Sequence, residues 1–238
     1  MLTNMQAIIL AAGRGTRLQP LTDAIPKAMV PINGKPILQL IIEQLKTVGV
    51  KDCVIIVHYL KDKIIDYLGD GKKLGVKITY VEQKELKGSA DAILKAQPYI
   101  KDDRFFAIAC DSLFETSLLK RLLAHKSEGV FTCTEVEDGR RYGILVTKGP
   151  KVIQIIEKPE KPPTNLANLS VYILPKKIFD ACKKVKPGPK GEYWLPEAIQ
   201  LLIEQGVDFE YEICNHILDI GTHEQLAEAQ DLARKLGL

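Results

Sequence analysis

The residues with chemistry to offer first gather in one loop. Ala11, Ala12, Gly13, Arg14, Gly15, Thr16 and Arg17 follow directly on an apolar run ending at Leu10. Small side chains let backbone N–H groups approach a ligand, and Gly13 and Gly15 can take positive φ. Arg14, Arg17 and, ten residues on, Lys27 add fixed positive charge. Such a loop suits a polyphosphate. Its backbone supplies only about half a unit of charge if it behaves as a helix N-terminus, so Arg, Lys and a metal ion would do most of the neutralising. It is not a P-loop, which needs Gly-x-x-x-x-Gly-Lys-Ser/Thr, and it lacks the dinucleotide fingerprint because Leu18 stands three residues after Gly15. On these residues alone a plain tight turn is an equal reading. Asp111 and Asp219 each end an apolar run and suit either a hard cation or a turn cap, and Glu157-Lys158 precedes a proline turn.

These residues need a scaffold, and the hydrophobic pattern supplies one. Residues 5–10, 53–57, 77–81 and 105–109 are short apolar, β-rich runs. Helix-spaced segments separate them: one after Pro36 (Leu38, Ile41, Ile42, Leu45), then 61–68, 90–96 and 116–126. Alternation of this kind predicts an α/β fold, Rossmann-like and doubly wound, with a mostly parallel central sheet and helices on both faces. Ligands in such folds sit beyond the carboxyl ends of the strands. That rule puts the 11–17 loop and Asp111 at one edge. Beyond about residue 128 the pattern changes. Runs at 129–136, 143–147, 152–157 and 168–174, with turns at Asp138-Gly139 and Gly149-Pro150, predict a small mixed-strand lobe. A helix over 192–204, strands over 209–213 and 216–219, and a helix over 222–235 follow, the last with Thr222 and Gln225 as a capping box. The economical organisation is one domain over 1–238: a first half to about 128, a second over about 129–221, and a C-terminal helix over 222–238.

The chain has 238 residues, 46% hydrophobic and 26% charged, with a net charge of +3 spread along its length. That balance describes a globular protein and argues against nucleic-acid or membrane partners, while small anionic ligands remain compatible. No charged leader and no run of roughly 20 apolar residues is visible, so a cytoplasmic protein is expected. The five cysteines form no Cys-x-x-Cys pair and the four histidines show no ligand spacing; buried free thiols are the expected state.

The run Ala11 to Leu18, followed by Pro20, Thr22, Pro26, Lys27 and Pro31, resembles the signature Gly-x-Gly-Thr-Arg-Leu-x-Pro-Leu-Thr with its later Pro-Lys of the sugar-1-phosphate nucleotidylyltransferases. Further landmarks stand in order: Gln83 with Gly88-Ser89-Ala90, Asp111, Gly143, Glu157-Lys158-Pro159, Asn168 before Tyr172, and Leu218 to Thr222. The resemblance spans essentially the whole chain. It implies that a sugar 1-phosphate oxygen attacks the α-phosphorus of a nucleoside triphosphate, releasing pyrophosphate and an NDP-sugar. It implies Mg²⁺ on Asp111 and Asp219. Arg17 and Lys27 would neutralise pyrophosphate, and Lys158 would bind the sugar phosphate. Leu10, Ala11, Ala12, Gly13, Gly15, Thr16 and Arg17, with Gln83, Gly88 and Ser89, would hold the nucleotide. Gly143, Glu157, Lys158 and Asn168 would hold the sugar phosphate. Arg14 falls on a variable position.

UTP or dTTP and glucose 1-phosphate are the favoured substrates, since a Gln amide suits the uracil or thymine edge. Ser89 departs from the thymidylyltransferases, and Ser170 from the glycine usual in the family two residues before the matching Tyr; they leave base and sugar open. Alternatives within the family are a mannose-1-phosphate guanylyltransferase or an N-acetylhexosamine-1-phosphate uridylyltransferase. Hexapeptide repeats are absent, so acetyl transfer is not expected. From a different class, a non-catalytic sugar-nucleotide-binding regulatory subunit would be expected to lose some of these charged residues. A homo-oligomer is compatible with the sequence.

Overall fold

In the computed structural model, residues 3–188 and 191–238 are described. Strand β1 (Ala7–Ala11) leads through a 3₁₀ turn (Thr16–Leu18), helix α1 (Leu21–Ala24) and a second 3₁₀ turn (Lys27–Met29) to a two-stranded hairpin of β2 (Pro31–Ile32) and β3 (Lys35–Pro36). Then come α2 (Ile37–Thr47), β4 (Asp52–Val57), α3 (Lys61–Leu68), β5 (Lys77–Glu82), α4 (Ser89–Lys95), β6 (Arg104–Ala109), β7 (Ser112–Phe114) and α5 (Ser117–Ala124). The second half contributes β8 (Gly129–Glu135), β9 (Gly143–Lys148), β10 (Lys151–Glu157), β11 (Leu166–Pro175), α6 (Ile178–Cys182), α7 (Leu195–Glu204), β12 (Phe209–Ile213), β13 (Ile217–Asp219) and α8 (His223–Leu236).

Nine strands form one sheet in the order β5-β4-β1-β6-β11-β8-β12-β10-β9. Strands β5, β4, β1 and β6 are mutually parallel. These are the buried apolar runs, and their lack of polar alternation follows from cover on both faces. On one face Ile41, Ile64, Leu118 and Ala229 of α2, α3, α5 and α8 pack into a core with Ile9, Ile55 and Phe106. On the other Ile93, Phe179 and Ile199 of α4, α6 and α7 pack with Ile8, Val54 and Phe105.

Four sequence expectations are corrected. The sheet is not mostly parallel throughout: β11 runs antiparallel to both β6 and β8, and β10 antiparallel to β12 and β9. Nor do the later strands build a separate lobe. Strand β11 satisfies the free edge of β6 along Val171–Pro175 and offers its other edge to β8, so the second half extends the same ladder. The helix expected from residue 192 starts at Leu195, because Trp194 is extended and Pro196 fits the first turn. At α8, Thr222 caps by accepting from Gln225 N–H at 3.3 Å, but the Gln225 side chain accepts from Gly221 N–H at 2.9 Å rather than from the cap residue. All five cysteines are free and buried. Burial pushes the thiols of Cys53, Cys110, Cys133 and Cys182 up to about 12 and that of Cys214 to about 11, which leaves them unreactive. Among the described residues no helix is long and apolar enough to cross a membrane.

Candidate active site

The parallel register sets one corner of the site. Leu10 pairs with Ala109 across β1 and β6, and Cys110 N–H donates to Leu10 O at 3.0 Å. The loop after β1 and Asp111 after β6 therefore leave the sheet side by side. Asp219 arrives on a short ribbon, β13 on β7, opposite Ser112. Ser112 Oγ donates to Asp219 Oδ1 at 2.7 Å, and Ile220 N–H donates to Asp111 O at 2.9 Å. A hundred residues of intervening chain are thus reduced to neighbouring carboxylates.

Lys27 is ion-paired to Asp111 through its ammonium. Burial pulls its pKa down, but the Asp111 and Asp219 carboxylates outweigh that and hold it above its ordinary value. Asp219 is pushed up to about 7, first by burial and then by the negative charge of Asp111, against the Ser112 hydrogen bond and Lys27, which lower it. Two carboxylates that repel each other beside one lysine are a donor set that a hard divalent cation fits: Mg²⁺ is held by one or two carboxylates plus substrate oxygens. Among the described residues no cluster of three or more His, Cys, Asp or Glu could hold a metal by itself.

Glycines make the close approaches. Gly15 has φ +69, and a Cβ there would lie 3.0 Å from Lys27 Cβ, so the loop folds back onto Lys27 only with glycine. Thr22 Oγ1 donates to Gly15 O at 2.8 Å and holds that fold. Arg17 lies over Gly221, where a Cβ would be 2.8 Å from a guanidinium nitrogen. Arg14 instead rests on Tyr59, 5.3 Å from the ring centre, away from the cavity wall.

The second corner is built by β9, β10 and β11. Gly143 faces Glu157 across the β9–β10 ladder, and a Cβ on it would lie 3.0 Å from Glu157 Oε2 and 3.6 Å from Asn168. Lys158 adopts left-handed backbone, φ +46, which turns the chain as β10 ends. Its ammonium sits 2.8 Å from Glu157 Oε1 and 5.4 Å from the Trp194 ring centre. Asn168 Nδ2 donates to the Tyr172 hydroxyl at 2.7 Å, while Asn168 Oδ1 is buried and accepts nothing. A buried acceptor without a partner is an open invitation to a hydroxyl donor.

Between the corners lies a cavity of about 780 Å³. Of the residues expected from sequence, Leu10, Arg17, Ser89, Asp111, Gly143, Glu157, Lys158, Asn168 and Asp219 line it. Ala11 and Ala12 are buried, and neither they nor Gly13, Gly15, Thr16 and Lys27 are among the residues that line it. Gln83 and Gly88 are not on it either. Gln83 is buried and its amide donates to Gly88 O at 3.1 Å and Asp91 Oδ2 at 2.8 Å, which fixes the loop ahead of α4. Arg141, Tyr142, Trp194 and Gln225 line the cavity but were not singled out from sequence. The signals existed: Arg141-Tyr142 adjoin Gly143, and Trp194 is the only tryptophan.

Comparison with known proteins shows the family. The family model for nucleotidyl transferases matches residues 6–235. The chain is 41% identical over 233 residues to UTP–glucose-1-phosphate uridylyltransferase AglF of Haloferax volcanii, covering 95% of each protein. It is similar in structure to a Bacillus anthracis protein assigned as a glucose-1-phosphate thymidylyltransferase, crystallised with sucrose (TM-score 0.86, 29% identity, 97% of this chain and 95% of the other). A UDP-glucose pyrophosphorylase complexed with UDP-glucose also matches (TM-score 0.82, 26% identity, 99% of each chain). With a family-model match over residues 6–235 and a relative 41% identical along 95% of both chains, the chain belongs to the nucleotidyl transferase family.

Proposed function

We propose that the protein condenses UTP with glucose 1-phosphate to UDP-glucose and pyrophosphate, with Mg²⁺ held by Asp111 and Asp219; dTTP is the second nucleotide to test. The observation that carries this reading is the two-ended cavity: carboxylates with Lys27 and Arg17 at one end, and Glu157, Lys158 and the unpartnered Asn168 Oδ1 at the other. The relative AglF, named for UTP and glucose 1-phosphate, and the structural relative complexed with UDP-glucose support the substrate choice.

In this reading the first half, to about residue 128, takes the nucleotide, and 129–221 takes the sugar phosphate. Asn168 Oδ1 and Glu157 accept from sugar hydroxyls, and the Lys158 ammonium binds the 1-phosphate. That attraction offsets the repulsion of two anions brought together. A 1-phosphate oxygen attacks the α-phosphorus, and the bond from that phosphorus to the oxygen bridging to the β-phosphorus breaks. Arg17 and Lys27, the latter kept protonated by its carboxylate neighbours, stabilise the departing pyrophosphate. When bound, Mg²⁺ would add neutralisation of the triphosphate oxygens. With its amide hydrogens engaged by Gly88 O and Asp91, Gln83 has its carbonyl left to accept from a uracil N3–H. Five buried free thiols are consistent with a reducing, cytoplasmic setting.

The test is product identification by mass spectrometry from pooled nucleoside triphosphates and pooled sugar 1-phosphates. UDP-glucose is the expected main product; exclusive use of GTP would overturn the base assignment. Asp111→Asn is expected to reduce pyrophosphate release by at least about 10²-fold, and near-full turnover would overturn the metal assignment.

A further inference from the structure

Two loops far apart in sequence are stitched together at one corner of the cavity. Tyr193 N–H donates to Lys87 O at 2.8 Å, and Ala90 N–H donates to Tyr193 O at 2.9 Å. A third bond comes from a side chain: Ser89 Oγ accepts from Leu195 N–H at 2.9 Å. Contact is close enough that Gly88, at φ +95, has no room for a Cβ, which would lie 2.4 Å from Tyr193 O.

Leu195 is the first residue of α7, and its N-cap residue Trp194 makes no side-chain cap bond. The first N–H groups of a helix have no partner within it. Ser89 fills that role from another element, 106 positions earlier in the chain. The backbone it holds carries Trp194, Leu195 and Pro196 on the cavity wall, with the Trp194 ring against the Lys158 ammonium.

We propose that Ser89 is a positioning residue for the sugar-side wall rather than a reader of the nucleotide base. It fixes the start of α7, and through it the place of Trp194 beside Lys158. What that wall receives, a sugar 1-phosphate, rests on the function proposed above. Removal of the hydroxyl leaves Leu195 N–H unpaired and loosens Trp194, so the effect falls on the sugar substrate and not on the nucleotide.

The test uses Ser89→Ala, Ser89→Cys and Ser89→Thr in the full chain. Cysteine keeps the volume but is a weak acceptor, and threonine retains the hydroxyl. For the Ala and Cys variants the KM of the sugar 1-phosphate is expected to rise about fivefold, the worth of one hydrogen bond, with the nucleotide KM changing less than about twofold; the Thr variant restores wild-type values. Trp194 is the only tryptophan, so its emission reports this wall alone. In ligand-free protein the Ala and Cys variants should shift that emission to the red and raise its acrylamide quenching, with recovery in the Thr variant. A raised nucleotide KM with the sugar KM unchanged, or emission and quenching identical to wild type in both the Ala and Cys variants, overturns the proposal. The fluorescence arm needs no turnover, so it decides the role of Ser89 even if the substrate assignment fails.

Discussion

Gly221→Ala presses first on Arg17 and second on the Gln225 side-chain oxygen, which would lie 3.1 Å from the added Cβ. Gly221 does not have the positive φ that would strain an alanine, so its backbone tolerates a Cβ. The new methyl would sit 2.8 Å from an Arg17 guanidinium nitrogen and 3.2 Å from its central carbon. Ordinary contact requires the guanidinium to retreat by about 0.6 Å or more. Arg17 is the free end of a flexible side chain, so the fold should absorb this with little loss of stability. Catalysis should not. Displacement of a positioning charge by about 1 Å can lower rate by about 10²-fold, so a shift of this size should lower kcat/KM by about tenfold. Pyrophosphate release is measured beside a thermal melt. The expected pair is a roughly tenfold slower enzyme with a Tm within about 2 °C of wild type. A rate within twofold of wild type would refute the argument that Arg17 acts from over Gly221. A large drop in Tm would show instead that the glycine serves the packing of α8.

Asn168→Ala removes the unpartnered acceptor at the sugar end and should raise the KM for sugar 1-phosphate about five- to tenfold while leaving the nucleotide KM unchanged, as read by steady-state kinetics on each substrate. Burial and the neighbouring Asp111 charge raise the Asp219 pKa, so a divalent cation bound there is expected to expel a proton. Affinity for Mg²⁺ or Mn²⁺ is therefore expected to fall as pH drops from about 8 to 6, and calorimetry in buffers of differing ionisation enthalpy should show proton release; pH-independent affinity would refute the coupling. The same raised pKa means the metal-free native state binds more protons than the unfolded chain between about 4 and 7. This contribution of Asp219 to stability is present at low pH and is lost as pH rises through about 7, so the stability difference from Asp219→Asn should change across that window and level off outside it.

The alternation of strands and helices made the first half of the fold legible, and with it the edge where the 11–17 loop and Asp111 meet. Long periodic segments and buried runs carry strong local signals. Of the β7–β13 ribbon that delivers Asp219, the strand at 216–219 was legible but its partner was not, because a three-residue strand such as Ser112–Phe114 holds too little pattern to register. The mixed order of the sheet was hidden for another reason: strands β8 and β11 look the same locally whether they extend the first sheet or build their own. Trp194 falls within the expected helix because Leu195, Ile199, Leu202 and Ile203 follow helical spacing; it is extended because Tyr193 pairs with Lys87 and Ala90. Gln83 could be read as a polar residue near a helix start, but its burial between Gly88 and Asp91 depends on tertiary packing.

Strand β11 has a consequence for how such a site can change. Its Val171–Pro175 stretch is in register with β6, which ends next to Asp111, and its Leu166–Leu169 stretch carries Asn168 past β8 and β9. One strand thus runs between Asp111 and Asn168, the groups proposed above for the metal and for the sugar. Its pairing with β8 shifts register between Leu169 and Tyr172, so one irregularity already lies between the two stretches; beyond that, the smallest slip of the whole strand that keeps each side chain on its own face is two residues, about 7 Å. On the function proposed above, a different sugar is therefore met most readily by exchanging side chains on the cavity wall, at positions such as Ser170, Tyr142 and Trp194.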